Sequence, residues 1–407
     1  MIEASDYIEA SLIRSYSMKI ITRTIVILSV ISLFTDIASE MLYPVLPMFL
    51  TSIGFSVALI GILEGVAEAT AGLSKGYFGH LSDSIDRRKP FIQVGYSLSA
   101  ISKPLMALLT FPLWIFGTRT LDRLGKGIRT GARDAVLSAE TTAEFKGRVF
   151  GFHRAFDTIG AALGPFGALL FLLTYPAQYK TLFLLAIIPG MFAIVMTFFV
   201  HEKNKQPVQV ISPAASPGIF SFFRYWKTAP REFRLLAAGL LCFALINSSD
   251  VLLLLMMRHQ GANDQQVIGI YIFYNLVYAV MSYPLGALGD KVGLKTIFIA
   301  GLILFAIVYG GIIIATSLPM LLVLFFIYGM YAASTEGISK AWISNIVPHN
   351  EVATAIGFYT GMQSVCTLLA SSLAGWLWYF YSPSVTFFVS AAGACAAAAF
   401  LAVSVRK

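Results

Sequence analysis

Gly79-His80-Leu81-Ser82-Asp83-Ser84-Ile85-Asp86-Arg87-Arg88-Lys89 is a charged turn between two apolar segments, each long enough to cross a bilayer. A second version follows as Gly286-Ala287-Leu288-Gly289-Asp290-Lys291-Val292-Gly293-Leu294-Lys295. In both, the first Gly is followed at +2 by Leu and at +4 by Asp, with basic residues a few positions on. The Gly lets two helices approach closely. The Asp stands where a helix ends and can pair with a cation or with the positive N-terminus of a neighbouring helix.

The spacing between the two versions holds along the chain. Gly79 to Gly286 is 207 residues, Ile60-Gly61 to Ile268-Gly269 is 208, Gly127-Ile128 to Gly337-Ile338 is 210, Gly151-Phe152 to Gly357-Phe358 is 206, and Glu40 to Asp250 is 210. Ordered pairs with nearly constant offsets argue for two structural repeats of about six helices each.

Composition sets the solvent. The 407 residues are 57% hydrophobic and 12% charged, with a mean hydropathy of +0.76, against about 25% charged residues in a soluble domain. Most of the surface must therefore face lipid. The net charge of +8 lies in short segments between apolar spans, so it reads as the positive-inside pattern and not as a nucleic-acid surface. Cys242, Cys366 and Cys395 sit in apolar segments without metal-ligand spacing, and the five histidines are scattered. The first 23 residues are mixed polar, unlike a cleavable signal peptide.

Apolar runs cut by Gly, Pro and charge clusters predict twelve helices, near 24–50, 56–80, 90–111, 112–138, 147–174, 180–200, 233–258, 264–289, 294–316, 318–345, 351–380 and 382–405. The fold class is an all-α membrane protein: an N-terminal segment 1–23, a six-helix bundle 24–200, a linker 201–232 and a second six-helix bundle 233–405. Loops after even helices hold Arg87-Arg88-Lys89, Lys146, Arg148, Lys203, Lys205, Lys291 and Lys295, whereas those after odd helices are nearly bare, so both termini are expected in the cytoplasm. In the linker, Phe222-Phe223-Arg224-Tyr225-Trp226-Lys227 suits either a short amphipathic surface helix or a plain tether.

The repeated turn resembles the signature loop of the major facilitator superfamily, G-x-L-x-D-x-x-G-R-[RK]-[RK], found between the second and third helices of each half. The first copy carries Asp86 where the family has Gly. The resemblance covers the chain from about residue 24 to 405 and implies alternating access, two bundles rocking about a site near the midplane. It also implies gating roles for Gly79, Asp83, Arg87, Arg88, Gly286 and Asp290, with Asp83 holding a contact between bundles and Arg87 and Arg88 as its cationic neighbours. Arg119 is similar to the basic residue of the fourth-helix motif R-x-x-x-G, although Arg123 stands at the Gly position. Gly160, Gly164 and Pro165 match the antiporter motif G-x-x-x-G-P-x-x-G-G, with Ala168 and Leu169 replacing its last glycines. Ordinary small-residue packing is the alternative for that stretch.

Ionisable residues at bilayer depth are costly unless paired or facing water, so they mark the working surface. Arg119, Asp122, Lys126, Arg129 and Arg133 share one face of the fourth helix, with Arg123 beside it. Arg133 with Asp134 reads as snorkelling toward the headgroups. Arg119, Arg123, Lys126 and Arg129 read as substrate contacts, joined from the second half by Asn247, Asn275, Tyr278 and Gln363. Asp36, Glu40, Glu64, Glu68, Asp122 and Asp250 are the candidates for proton coupling, static pairing with the fourth-helix cations being the alternative. Glu336 and Lys340, one turn apart, have the order of a structural intrahelical pair.

These features predict a monomeric, proton-coupled transporter of a small, anionic or amphiphilic organic solute in a bacterial inner membrane. Export by antiport is the leading expectation and proton-symport uptake of an organic anion or metal chelate the alternative. Its partners are the solute, protons and lipid; no cofactor, metal, nucleic acid or catalytic activity is expected.

Overall fold

A computed structural model describes residues 20–43, 45–55, 57–201, 224–248, 250–262, 264–315 and 317–404. Positions 1–19, and 202–223 of the expected linker, lie outside the described residues. The described residues are helical throughout, without strands. The helices are α1 (Arg23–Glu40), α2 (Leu46–Ser52), α3 (Val57–Ile85), α4 (Lys89–Leu108), α5 (Pro112–Ala139), α6 (Lys146–Thr174), α7 (Tyr179–Leu185), α8 (Ile187–Phe198), α9 (Tyr225–Thr228), α10 (Arg231–Ala244), α11 (Asp250–His259), α12 (Asp264–Val292), α13 (Leu294–Gly311), α14 (Leu318–Ile346), α15 (Val352–Phe380) and α16 (Pro383–Ser404).

Seven described spans are long and apolar enough to cross a membrane: Ala143–Thr174, Tyr179–Phe198, Gly269–Val292, Leu294–Gly311, Leu318–Ile346, His349–Phe380 and Pro383–Ser404. Large apolar side chains face outward along them, among them Phe166 and Leu173 on α6, Phe192 on α8, Leu369 and Trp376 on α15, and Phe388 on α16. Such a belt is unstable in water and requires lipid.

Two expected helices are broken over several residues, and 180–200 is interrupted at Ala186 alone, between α7 and α8. The run 24–50 divides into α1 and α2, and 233–258 into α10 and α11. The sequence supplies the cause at both points: Pro44 lacks an N–H donor, and Asn247-Ser248-Ser249-Asp250 carry side chains that compete for backbone groups. Elsewhere, helix ends follow local chemistry. Pro112 starts α5, and Trp114 Nε1 donates to Leu105 O at 2.7 Å, pinning the α4–α5 turn. Thr22 caps α1, accepting from Ile25 N, and donates to Glu140 Oε2 at 2.7 Å.

Within the first half, α1 packs on α6 and α8, and α5 lies between α3 and α4; within the second, α14 packs on α12 and α13, and α16 on α13. Across the halves, α3 lies along α15 and α6 along α12, a pairing that respects the repeat. The contact is tightest on the face that carries the two signature turns. A Cβ added at Gly79 would stand 2.5 Å from Ala353 O, and one at Gly72 would stand 3.1 Å from Ser364 Cβ, whereas one at Gly65 would meet nothing within 4 Å. The halves are thus closed at this basic face and diverge toward the opposite one.

The turns themselves form a reciprocal lock. Asp83 lies in the last turn of α3, accepts from Thr354 N at 2.7 Å and Thr354 Oγ1 at 2.9 Å, and pairs with Arg88 Nη2 at 3.0 Å. Asp290, in the last turn of α12, accepts from Gly147 N at 2.8 Å and Arg148 N at 2.9 Å. Each carboxylate therefore caps the first turn of a helix in the other half, α15 or α6, where unsatisfied N–H groups and the helix dipole favour an anion. Arg87 is exposed, and Arg88 is the partner of Asp83. Asp86 takes φ 52°, and Gly293, at the same place in the second copy, takes φ 98°. A positive φ is thus kept at the family's glycine position without the glycine.

Tyr225 of the aromatic stretch is buried and donates to Glu351 Oε2 at 3.1 Å, and Trp226 stacks on Phe358 with centroids 5.8 Å apart. This part of the linker is docked on the start of α15.

Candidate functional site

The fourth expected helix, α5, turns its charged face into the protein, and its residues fall into committed and uncommitted groups. Arg119 is committed. Its Nε and Nη2 each donate to Glu64 at 2.8 Å, a two-pronged pairing, and Nη1 lies 3.4 Å from Asp122. Asp122 also accepts from Ser99 Oγ at 2.6 Å and Lys103 Nζ at 3.1 Å. It is a buried anion with two cationic partners, so protonating it means giving up both pairs. Arg129 lies over the Tyr96 ring, 4.4 Å from its centroid.

Lys126 and Arg123 are less engaged. Arg123 reaches Glu64 at 3.8 Å. Lys126 is exposed within the space between the halves and makes no direct hydrogen bond or ion pair among the described residues; it stands in the electrostatic field of Asp36, Glu40 and Glu68. These three carboxylates likewise have no direct partner among the described residues. Among the described residues, helices α1, α3 and α5 thus surround the Lys126 ammonium with three carboxyls that have no direct partner.

The packing that places Asp36 is the Gly160–Gly164 stretch of α6. A Cβ at Gly160 would stand 2.6 Å from Leu33 O and 3.0 Å from Asp36 Cβ, and one at Gly164 would stand 2.7 Å from Met41 N. The small residues bring α6 against the end of α1 that bears both Asp36 and Glu40, and Pro165 follows inside the helix.

The second half contributes polar and aromatic groups. Asn247, at the break between α10 and α11, donates to Tyr331 OH at 3.0 Å and leaves its Oδ1 buried without a partner among the described residues. It lines a small cavity of about 20 Å³ with Tyr331, Glu336, Tyr359 and Gln363. Asp250 accepts from Tyr328 OH at 2.7 Å. Asn275 turns back to donate to Tyr271 O at 2.9 Å and is buried. Tyr278 is buried and accepts from Arg154 Nε. Tyr274 and Tyr328, with centroids 4.9 Å apart, extend the aromatic wall.

Between this site and the lock lies a second set of charges, where the structure corrects two sequence expectations. Arg133 and Asp134 do not snorkel: Asp134 is fully buried, Arg133 Nε donates to it at 2.9 Å, and Arg133 Nη1 donates to Ser32 Oγ at 3.2 Å. Glu336 and Lys340 do not hold each other. Lys340 Nζ lies 2.7 Å from Asp134 Oδ2, and Glu336 Oε2 lies 3.8 Å from Arg154 Nη2, so both pairs span the two halves. Lys146 Nζ adds a third crossing, donating to Ser344 O at 2.6 Å.

Sequence reasoning passed over Lys75 and Lys103, although a lone lysine in an apolar span is itself a signal. Lys75 Nζ donates to Ser364 Oγ at 3.3 Å across the halves.

Comparison with known proteins agrees with this arrangement. The family model described as Major Facilitator Superfamily matches residues 28–257 and 235–407. An uncharacterised MFS-type transporter of Methanocaldococcus jannaschii is 34% identical over 90% of this chain and 91% of its own. The Staphyloferrin B transporter of Staphylococcus aureus is 26% identical over 88% of this chain and 87% of its own. Among solved structures, the human organic anion transporter MFSD10 superposes with a TM-score of 0.76 at 15% identity, covering 93% of this chain and 99% of that one. With its repeated signature turns, paired helices across the halves and lipid-facing belt, the chain belongs to the major facilitator superfamily of multi-pass membrane transporters.

Proposed function

We propose that the protein is a proton-coupled transporter that exports a small organic anion from the cytoplasm by alternating access. The carrying observation is the uncommitted Lys126 among Asp36, Glu40 and Glu68, in a space closed toward the basic face. When these carboxyls are ionised they compensate the ammonium. When one binds a proton, the ammonium is left to an anion, so proton and solute occupancy are linked. Asn247 and Gln363 would meet the rest of the solute. A structural neighbour is an organic anion transporter, which supports an anionic solute.

The basic face is taken as cytoplasmic by the distribution of Arg and Lys, which makes this an outward-facing state with both termini inside. On this reading the protein works as a monomer in a bacterial inner membrane, with Gly79, Asp83, Arg88, Gly286 and Asp290 forming the cytoplasmic gate. Export is supported by Gly160, Gly164 and Pro165, which match the antiporter pattern and pack directly on the carboxylate-bearing part of α1. The second reading, proton-symport uptake, is supported by the charge linkage itself, because a proton that frees Lys126 favours joint occupancy by proton and anion.

Reconstituted vesicles separate the two. An inside-acid gradient drives accumulation of an organic anion if the protein is an antiporter, and an outside-acid gradient drives it if the protein is a symporter. Accumulation under neither gradient, with the pH dependence of counterflow unchanged in Asp36→Asn and Glu40→Gln, rules out proton coupling through α1.

A further inference from the structure

Lys75 touches both the anion-attracting space and the contact between halves, and neither the signature motifs nor the gate accounts for it. It lies on the α3 face that carries Glu64, Glu68, Gly72 and Gly79, spaced one to two turns apart. Its depth matches that of Lys126: a Cβ at Gly127, the next residue of α5, would stand 3.2 Å from Lys75 N. The two lysines therefore stand at one level on adjacent helices. Lys75 has no ion-pair partner among the described residues, only the Ser364 hydroxyl of α15 at 3.3 Å, and Ser364 is also the group against which Gly72 packs. Among the charges that act on Lys75 are Glu68 on its own helix, Lys126 and Arg123 on α5, and Lys340 on α14.

We propose that Lys75 and Lys126 together form the binding site for a solute with two or more carboxylates, and that binding draws Lys75 from Ser364 to the solute. This rests on the anion-transport reading above and gives it a substrate class and a residue. A single carboxylate neutralises one ammonium and leaves the other facing a like charge; a polycarboxylate spans both. The exchange of partners loosens a contact between α3 and α15, which ties occupancy to the closure of the halves.

The test uses the purified full-length protein, with citrate as the polycarboxylate probe and benzoate as the monocarboxylate, read by calorimetry and thermal shift. Citrate binds the unaltered protein at least tenfold more tightly than benzoate. Lys75→Gln weakens citrate tenfold or more, Lys75→Arg retains binding, and Ser364→Ala strengthens it several-fold because the competing acceptor is gone. Benzoate binding as tightly as citrate overturns the polycarboxylate class. Full citrate affinity in Lys75→Gln, or an unchanged affinity in Ser364→Ala should Lys75→Gln fail to fold, overturns the role of Lys75 and leaves anion transport standing. No binding of citrate, benzoate or inorganic phosphate to the unaltered protein removes the anion reading itself, and this proposal with it.

Discussion

Replacing Lys340 by Gln removes one of the two cations that hold Asp134. The carboxylate has no exposed surface, with Lys340 Nζ at 2.7 Å and Arg133 at 2.9 Å. Removing one member of a buried pair typically costs about 3–5 kcal/mol, because the other charge is left uncompensated. Here Arg133 remains on the same helix, so roughly half that cost, about 2 kcal/mol, falls on the state in which the halves touch. The open state has already lost the contact and is not penalised. The ratio of open to closed molecules at the basic face should therefore rise by about 30-fold. Spin labels at Glu144 and Lys291, both exposed and on opposite halves, read this as a shift of the distance distribution toward its longer component. A control with Lys340→Arg, which keeps the charge, restores most of the short component. If Lys340→Gln keeps the distribution of the unaltered protein while the helix content is also unchanged, the bridge does not hold the closed state and the reasoning fails.

Asp83→Asn weakens the charge-assisted bonds to Thr354 and Arg88 and should favour opening at the basic face by about 1–2 kcal/mol, seen as faster labelling of a cysteine placed in the vestibule; an unchanged rate contradicts the lock. Asp86→Gly relieves a left-handed backbone at φ 52° worth about 1 kcal/mol, partly offset by the freer unfolded chain, and should give a slightly higher midpoint in thermal unfolding.

The sequence made the helices legible because a lipid-facing chain writes its spans as apolar runs. The expected helix 112–138 is observed as Pro112–Ala139, and 264–289 as Asp264–Val292. The two breaks were missed for the same reason. Hydropathy stays high through Met41–Val45 and Leu245–Asn247, and the interruption is recorded only by Pro44 and by the Asn-Ser-Ser-Asp run. Face sharing on one helix was also legible: the Arg119–Arg133 stripe does turn into the protein. What a single helix period does not contain is which neighbour faces the stripe. Glu336 and Lys340 are four residues apart, so a pairing along the helix is the simplest reading, yet each meets a counter-charge brought by the other half. Lys75 and Lys103 sat one to a span and formed no pattern, and only the packing of α3 on α5 and of α4 on α5 gives them neighbours.

The reciprocal caps at Asp83 and Asp290 obey the rule of an isologous dimer, although the two halves are one chain. Residue i of the first half meets residue j of the second, and the counterpart of i meets the counterpart of j, as across a twofold axis. A single ancestral half, associating with a copy of itself, would have closed by these same two contacts with no further invention. Within one chain the two copies are free to differ. The first cap carries a hydroxyl from Thr354 and the guanidinium of Arg88 from its own half, while the second carries a further amide and the guanidinium of Arg148 from the opposite half, 3.5 Å from Asp290. Symmetry survives where the backbone does the bonding, and divergence has collected in the side chains around it.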